Sequence, residues 1–146
     1  MRIMPIDQTD RQLLILLTEN ARAPVAELGR KLGLSRTTVQ SRIERLERRG
    51  VIAGYTARLS EDYEKGQVKA HVLITALPKL APRVEAELRR IPEIRTLHSV
   101  SGQFDMIGVV VAPSIGELDG LIDRIGALEG VERTMSSIIL STRIER

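Results

Sequence analysis

The hydrophobic patterning of this chain divides into two regimes along its length, and that division constrains the fold more than any other feature. Up to residue 50 the apolar side chains recur every three or four positions, the spacing of one helix face. From residue 68 onward, stretches of strict alternation take turns with stretches of helical spacing. A helix-only part therefore precedes a mixed part, and 146 residues leave room for both.

In "DQTDRQLLILLTENAR" the residues Leu13, Leu14 and Leu17 form one stripe and Asp7 is placed as an N-cap, so a helix is expected at 8–20. "APVAELGRKLGLS" offers Val25, Leu28 and Leu32, with Pro24 at the first helical position and Gly33 just past the end near Leu32. Ser35 then caps a third helix that runs to about Arg49 and stops at Gly50. Two short helices joined by a tight glycine-containing turn are the signature of a helix-turn-helix.

"VIAGYTARLSEDYEKGQ" begins with strand-like residues and ends polar. It reads as a linker strand and hinge at 51–66, between a 1–50 helix-turn-helix domain and a 67–146 domain. The second domain reads as a strand at 68–77, a helix at 80–91, strands at 94–102 and 105–112, a helix at 114–128 opened by a Ser114/Glu117 capping box, and a strand at 131–142. The order β-α-β-β-α-β predicts an α+β, ferredoxin-like fold whose four-stranded antiparallel sheet carries both helices on one face. In the first strand Val68, Ala70, Val72, Ile74 and Ala76 alternate with a set that still includes Leu73 and Leu77. In the last, Ile138 and Leu140 alternate with Met135 and Ile139. Two helices cover one face, so the other is expected to pack on a second copy.

Charge divides along the same line. Residues 1–60 carry eleven Lys/Arg against six Asp/Glu, and residues 61–146 eleven against thirteen, so the excess of positive charge lies in the helical part. Tyr55, Tyr63 and Phe104 are the only aromatics, too few for the stacking platforms of a single-strand binder. Cysteine is absent, which excludes disulfides, thiolate nucleophiles and cysteine metal sites. No apolar run approaches the roughly 20 residues of a membrane span, and "MRIMPIDQTD" lacks a signal-like stretch, so a cytoplasmic location is expected.

On the third helix Val39, Ile43 and Leu46 fall in one arc and point inward. Thr37, Thr38, Gln40, Ser41 and Arg48 are placed to read or approach base edges, with Glu44 among them, whereas Arg36, Arg42, Arg45 and Arg49 are better placed for phosphates. Arg22, Arg30 and Lys31 are further phosphate candidates. Glu44 and Glu47 temper the local charge, so one copy should bind modestly and a pair should bind better. Plain solvation of an arginine-rich helix is the competing explanation.

An enzyme finds little support in the same residues. His71 and His98 fall on strands that are not neighbours in a ferredoxin-like sheet, without partners at ligand spacing, and neither a phosphate-cradling G-x-x-x-x-G-K-[ST] loop nor a G-x-S-x-G elbow occurs. Gly126 and Gly130 suit packing and a helix cap. The chain is therefore read as a non-enzyme with no cofactor and no metal. Two rivals to a regulated DNA binder stand open: an oligomerising module whose helices touch protein, and an architectural DNA-binding protein with no effector.

The stretches "LTENAR", "ELGRKLGLS", "RIERLERRGVIAGYTARL", "SGQFDMI" and "GVERTMSSIIL" together resemble the Lrp/AsnC family of transcriptional regulators, over nearly the whole chain and in the family order. The resemblance implies a winged-type helix-turn-helix, a linker strand and a RAM/ACT-like βαββαβ domain. It also implies double-stranded DNA as partner, assembly to dimers, tetramers or octamers, and modulation by a small effector such as an amino acid. It places the effector near a turn with a Gly-x-aromatic-Asp pattern, here Gly102, Gln103, Phe104 and Asp105, preceded by Ser99, Val100 and Ser101. Backbone N–H groups of such a turn can hold a carboxylate, and Thr134 and Ser136 could add hydroxyls. Turn geometry alone could equally account for Gly102 and Asp105.

Overall fold

A computed structural model describes residues 5–146 of the chain, so the first four residues of the expected 1–50 domain lie outside the described residues. The chain forms two compact units that divide between Arg58 and Leu59.

The first unit holds helices α1 (Gln8–Glu19), α2 (Val25–Leu32) and α3 (Arg36–Arg48). Asp7 caps α1 by accepting from the Asp10 N–H at 2.7 Å, and Ser35 caps α3 by accepting from Thr38 N–H at 3.1 Å. Pro24 precedes α2 as its cap instead of opening it, a shift of one residue. Leu13, Leu17, Leu28, Val39 and Leu46 are buried together, with Ile43, Val51 and Ile52 packed against them. The linker strand expected within 51–66 does not form: Val51–Ser60 has no ladder partner, and this unit has no strand among its described residues. A strand exists only by pairing its N–H and C=O groups with another, and a single chain supplies none here.

The second unit follows the expected order, with β1 (Val68–Ala76), α4 (Ala81–Arg89), β2 (Ile94–Ser99), β3 (Met106–Ala112), α5 (Ile115–Gly126) and β4 (Val131–Ile138). The antiparallel sheet runs β2-β3-β1-β4. The Ser114 hydroxyl accepts from Glu117 N–H, the N-cap half of the expected capping box, while the Glu117 carboxylate accepts from that hydroxyl and not from the Ser114 N–H. Ala70, Val72, Ile74 and Ala76 of β1 meet Val84 and Leu88 of α4 and Leu118, Leu121 and Ile125 of α5, so both helices cover one face. The opposite face carries Leu73, Ile107, Val109 and Val111, with Met135 53% exposed. β4 is shorter than expected: Ile139 N–H still bonds Lys69 C=O, but Leu140 is 95% exposed.

Candidate functional site

The geometry of α3 begins in the turn before it. Gly33 adopts a left-handed conformation, φ 68°, that ends α2, and Leu34 N–H returns to Gly29 C=O at 2.8 Å. A side chain at residue 29 would collide with the Leu34 carbonyl, so α2 and α3 meet as closely as they do because residue 29 is glycine. Val39 and Leu46 then seat α3 on the core, and Arg36, Thr37, Gln40, Ser41, Glu44 and Arg48 are left in solvent. Five of these, with Val25, line a shallow groove of about 500 Å³ along α2 and α3. Gln40 donates to the Glu44 carboxylate at 3.1 Å, one turn on.

The basic flank of α3 behaves differently from the expectation. Arg42 Nη1 donates to Asp7 Oδ2 at 2.7 Å and to Asp10 Oδ1 at 2.9 Å, and Arg45 Nη2 donates to Asp10 Oδ2 at 3.0 Å. Arg49 donates to the Pro5 carbonyl at 3.3 Å. The three arginines assigned to phosphate from this flank thus face the start of α1. Arg42 is the most engaged of the three: its side chain is 24% exposed and two carboxylates hold its guanidinium. The bond from Arg42, and next the Asp10 N–H, hold the Asp7 carboxyl below the usual carboxylate range, and the same two carboxylates raise Arg42 further. Thr38 is also drawn in: its hydroxyl lies 2.7 Å from that of Ser35, within the cap. Arg36 and Arg48 have no ion-pair partner among the described residues.

A second constellation lies at the end of β2. Val100 N–H donates to Asp105 C=O, and Gly102, with φ 113°, makes the reversal that an L side chain resists. Asp105 N–H donates to Ile74 C=O at 2.9 Å while its carboxylate accepts from Ala76 N–H at 2.8 Å. The side chain therefore extends the β1–β3 ladder by one rung, and its carboxylate is engaged by the strand. The N–H groups of Ser101, Gly102, Gln103 and Phe104 donate no backbone hydrogen bond among the described residues. Beside them is an open depression of about 540 Å³, lined by Ser99, Val100, Ser101, Gln103 and Phe104 of the turn and by Leu73 and Ile107 of the uncovered sheet face.

Thr134 and Ser136 do not join this depression. They pair across from Ile74 and Val72, which are buried under the helices, and directly opposed residues share a face. Their neighbours Arg133 and Met135, opposite Thr75 and Leu73, take the uncovered face instead. Arg133 lies over the Phe104 ring, its guanidinium carbon 5.2 Å from the ring centroid, a cation–π contact that the sequence reading missed. Residue parity on the last strand was the available signal, but it needs the β1–β4 register to be interpreted. His71 and His98 are exposed on separate, non-adjacent strands. No group of three His, Asp or Glu among the described residues could hold a metal.

Residues 6–47 match the model of the AsnC-type helix-turn-helix domain, and residues 69–146 match that of the Lrp/AsnC ligand binding domain. The chain belongs to the Lrp/AsnC family. Among Lrp/AsnC relatives, it is 38% identical over 138 residues to the HTH-type transcriptional regulator LrpA of Mycobacterium tuberculosis, covering 94% of this chain and 91% of that one. It is 35% identical to the proline dehydrogenase transcriptional activator of Rhodobacter capsulatus, with coverage of 97% and 94%. In structure it is similar to AsnC of Escherichia coli, with a TM-score of 0.88, 28% identity and coverage of 98% and 97%. It is also similar to a feast or famine regulatory protein of M. tuberculosis complexed with L-methionine, with a TM-score of 0.86, 37% identity and coverage of 97% and 96%. As an Lrp/AsnC member the chain is a DNA-binding transcriptional regulator. The matched helix-turn-helix segment contains α2 and most of α3, and the matched ligand binding domain contains the 99–105 turn.

Proposed function

We propose that this regulator reads double-stranded DNA through Thr37, Gln40, Ser41 and Arg48 of α3, works as a homo-oligomer in the cytoplasm, and is modulated by an amino acid held at the 99–104 turn. The observation that carries the effector assignment is the depression beside that turn, which combines unengaged backbone N–H groups with apolar walls at Leu73 and Ile107. N–H groups suit a carboxylate, the walls suit an apolar side chain, and Arg133 stands at the margin as a cation. The L-methionine complex of the M. tuberculosis relative supports an amino-acid ligand. The uncovered apolar face, continuous with the depression through Leu73 and Ile107, supports a second copy as its cover. A dimer presents two recognition helices to two half-sites one helical turn of DNA apart, which offsets the modest charge of each.

Calorimetric titration with the twenty amino acids, alongside sedimentation velocity, tests both parts. At least one apolar amino acid should bind and shift either the sedimentation profile or the affinity for a duplex. Silence across the panel would leave an architectural DNA-binding protein, and a monomer at micromolar concentration would remove the oligomer.

A further inference from the structure

Asp10 is the only buried charged residue among the described ones, with 1% exposure, and it sits in the first turn of α1, away from the DNA-reading face of α3. Each of its two carboxylate oxygens accepts from a different arginine of α3, Arg42 at 2.9 Å and Arg45 at 3.0 Å. Asp7 takes a further bond from Arg42 while capping the helix that carries Asp10. Apolar packing of Val39 and Leu46 decides which side of α3 faces inward but, being non-directional, leaves its finer rotation about the axis less sharply defined. Two charge-assisted bonds to one desolvated carboxylate do not, because they have preferred lengths and angles. A rotation of only a fraction of one residue's arc would already move Gln40 and Ser41 off a base edge.

The same bonds divide the helix's charge. Two carboxylates against two guanidiniums leave the Asp7, Asp10, Arg42 and Arg45 group without net charge, so this flank adds little to sequence-independent attraction. From this geometry we infer that Asp10 is a positioning residue for DNA recognition: it sets the rotation of α3 through Arg42 and Arg45 and withholds both arginines from phosphates. It touches no DNA itself in this scheme and favours specific over non-specific binding.

The test uses the full chain. A preferred duplex is selected from a random-sequence pool with the wild type, and affinities for it and for a scrambled duplex of equal length are measured across a series of salt concentrations. Asp10→Asn should lower the selected-to-scrambled ratio at least tenfold while keeping or raising affinity for the scrambled duplex, with a steeper salt slope as Arg45, which Asp10 alone holds, meets phosphate. A purely structural role lowers both affinities in parallel and leaves the slope alone, and that result, or an unchanged ratio, overturns the inference. Should Asp10→Asn not fold, Arg45→Gln carries the test, since Asp10 keeps Arg42. It should lower the ratio threefold or more without changing the slope. A slope lower by about one would make Arg45 a phosphate contact and overturn the inference. A wild-type chain that prefers no duplex would instead refute α3 as the recognition helix, and this inference with it.

Discussion

Replacing Gly29 by alanine sets two opposed effects against each other at the turn that orients α3. In a helix interior alanine is favoured over glycine by about 0.8–1.0 kcal/mol, so the substitution taken alone stabilises. At residue 29, however, the added Cβ would stand 2.6 Å from the Leu34 carbonyl oxygen, where at least 3.0 Å is needed, and the obstacle is backbone that cannot rotate away. Moving Leu34 strains its 2.8 Å bond to Gly29 C=O and displaces the neighbouring Ser35 cap. Overpacking of this kind costs about 1–3 kcal/mol, and a weakened hydrogen bond about 1 kcal/mol more. The net expectation is a loss of about 1–3 kcal/mol, together with weaker DNA binding because α3 starts from a displaced cap. Urea unfolding followed by circular dichroism reads the stability, fitted with a separate transition for each unit, and duplex titration reads the binding. Gly120→Ala is the control: that glycine is in α5, exposed, with open space where a Cβ would stand, and should gain about 0.8–1.0 kcal/mol. A Gly29→Ala chain as stable as the wild type would falsify the claim that close approach dictates glycine there.

Three other outcomes are expected. Gln40→Ala, on the exposed face of α3, should relax base preference by about 1–3 kcal/mol at one position while the oligomer stays intact, and footprinting with an unchanged preference would exclude a base contact. Asp7 has a folded pKa below its unfolded value, so its contribution to stability is present above the ordinary carboxylate range near 3.8 and is lost as pH falls through the lower folded value. Asp7→Asn should therefore flatten the acid limb of a stability-against-pH curve below that point, and an identical limb would show that the Arg42 bond does not stabilise the fold. Asp105→Ala leaves Ala76 N–H without its 2.8 Å acceptor, and should cost about 1–2 kcal/mol and weaken amino-acid binding at the turn. Full retention of both would place the turn's rigidity elsewhere.

Much of the fold is legible in the chain because its determinants are local. Asp7, Ser35 and Ser114 each cap a helix within three residues of themselves, so they can be read without knowing what the helix packs on. Strand and helix periods in 68–138 likewise announce themselves. The candidate site is less legible, since its pairings join residues distant in sequence. Asp10 and Arg45 are 35 positions apart, and nothing near either marks their meeting. Arg42 looks like any flanking arginine until the carboxylates beside it are placed. Thr134 and Ser136 are plausible pocket hydroxyls by composition, but a register that sets Ser136 against Val72 turns both toward the helices and gives the open face to Arg133 and Met135.

What the sequence determined by itself, then, is the order and type of elements, the switch from a basic helical part to a mixed part, and the face of α3 that stays wet. These follow from periodicity, capping and charge, whose physics acts over a turn or two of chain. Only the tertiary structure decided which arginines are ion-paired, which carboxylate is buried, and which residues of β4 stand beside the 99–104 turn. Ion pairing and strand register depend on which distant groups are brought within about 3 Å of each other, and that distance is a property of the packed chain.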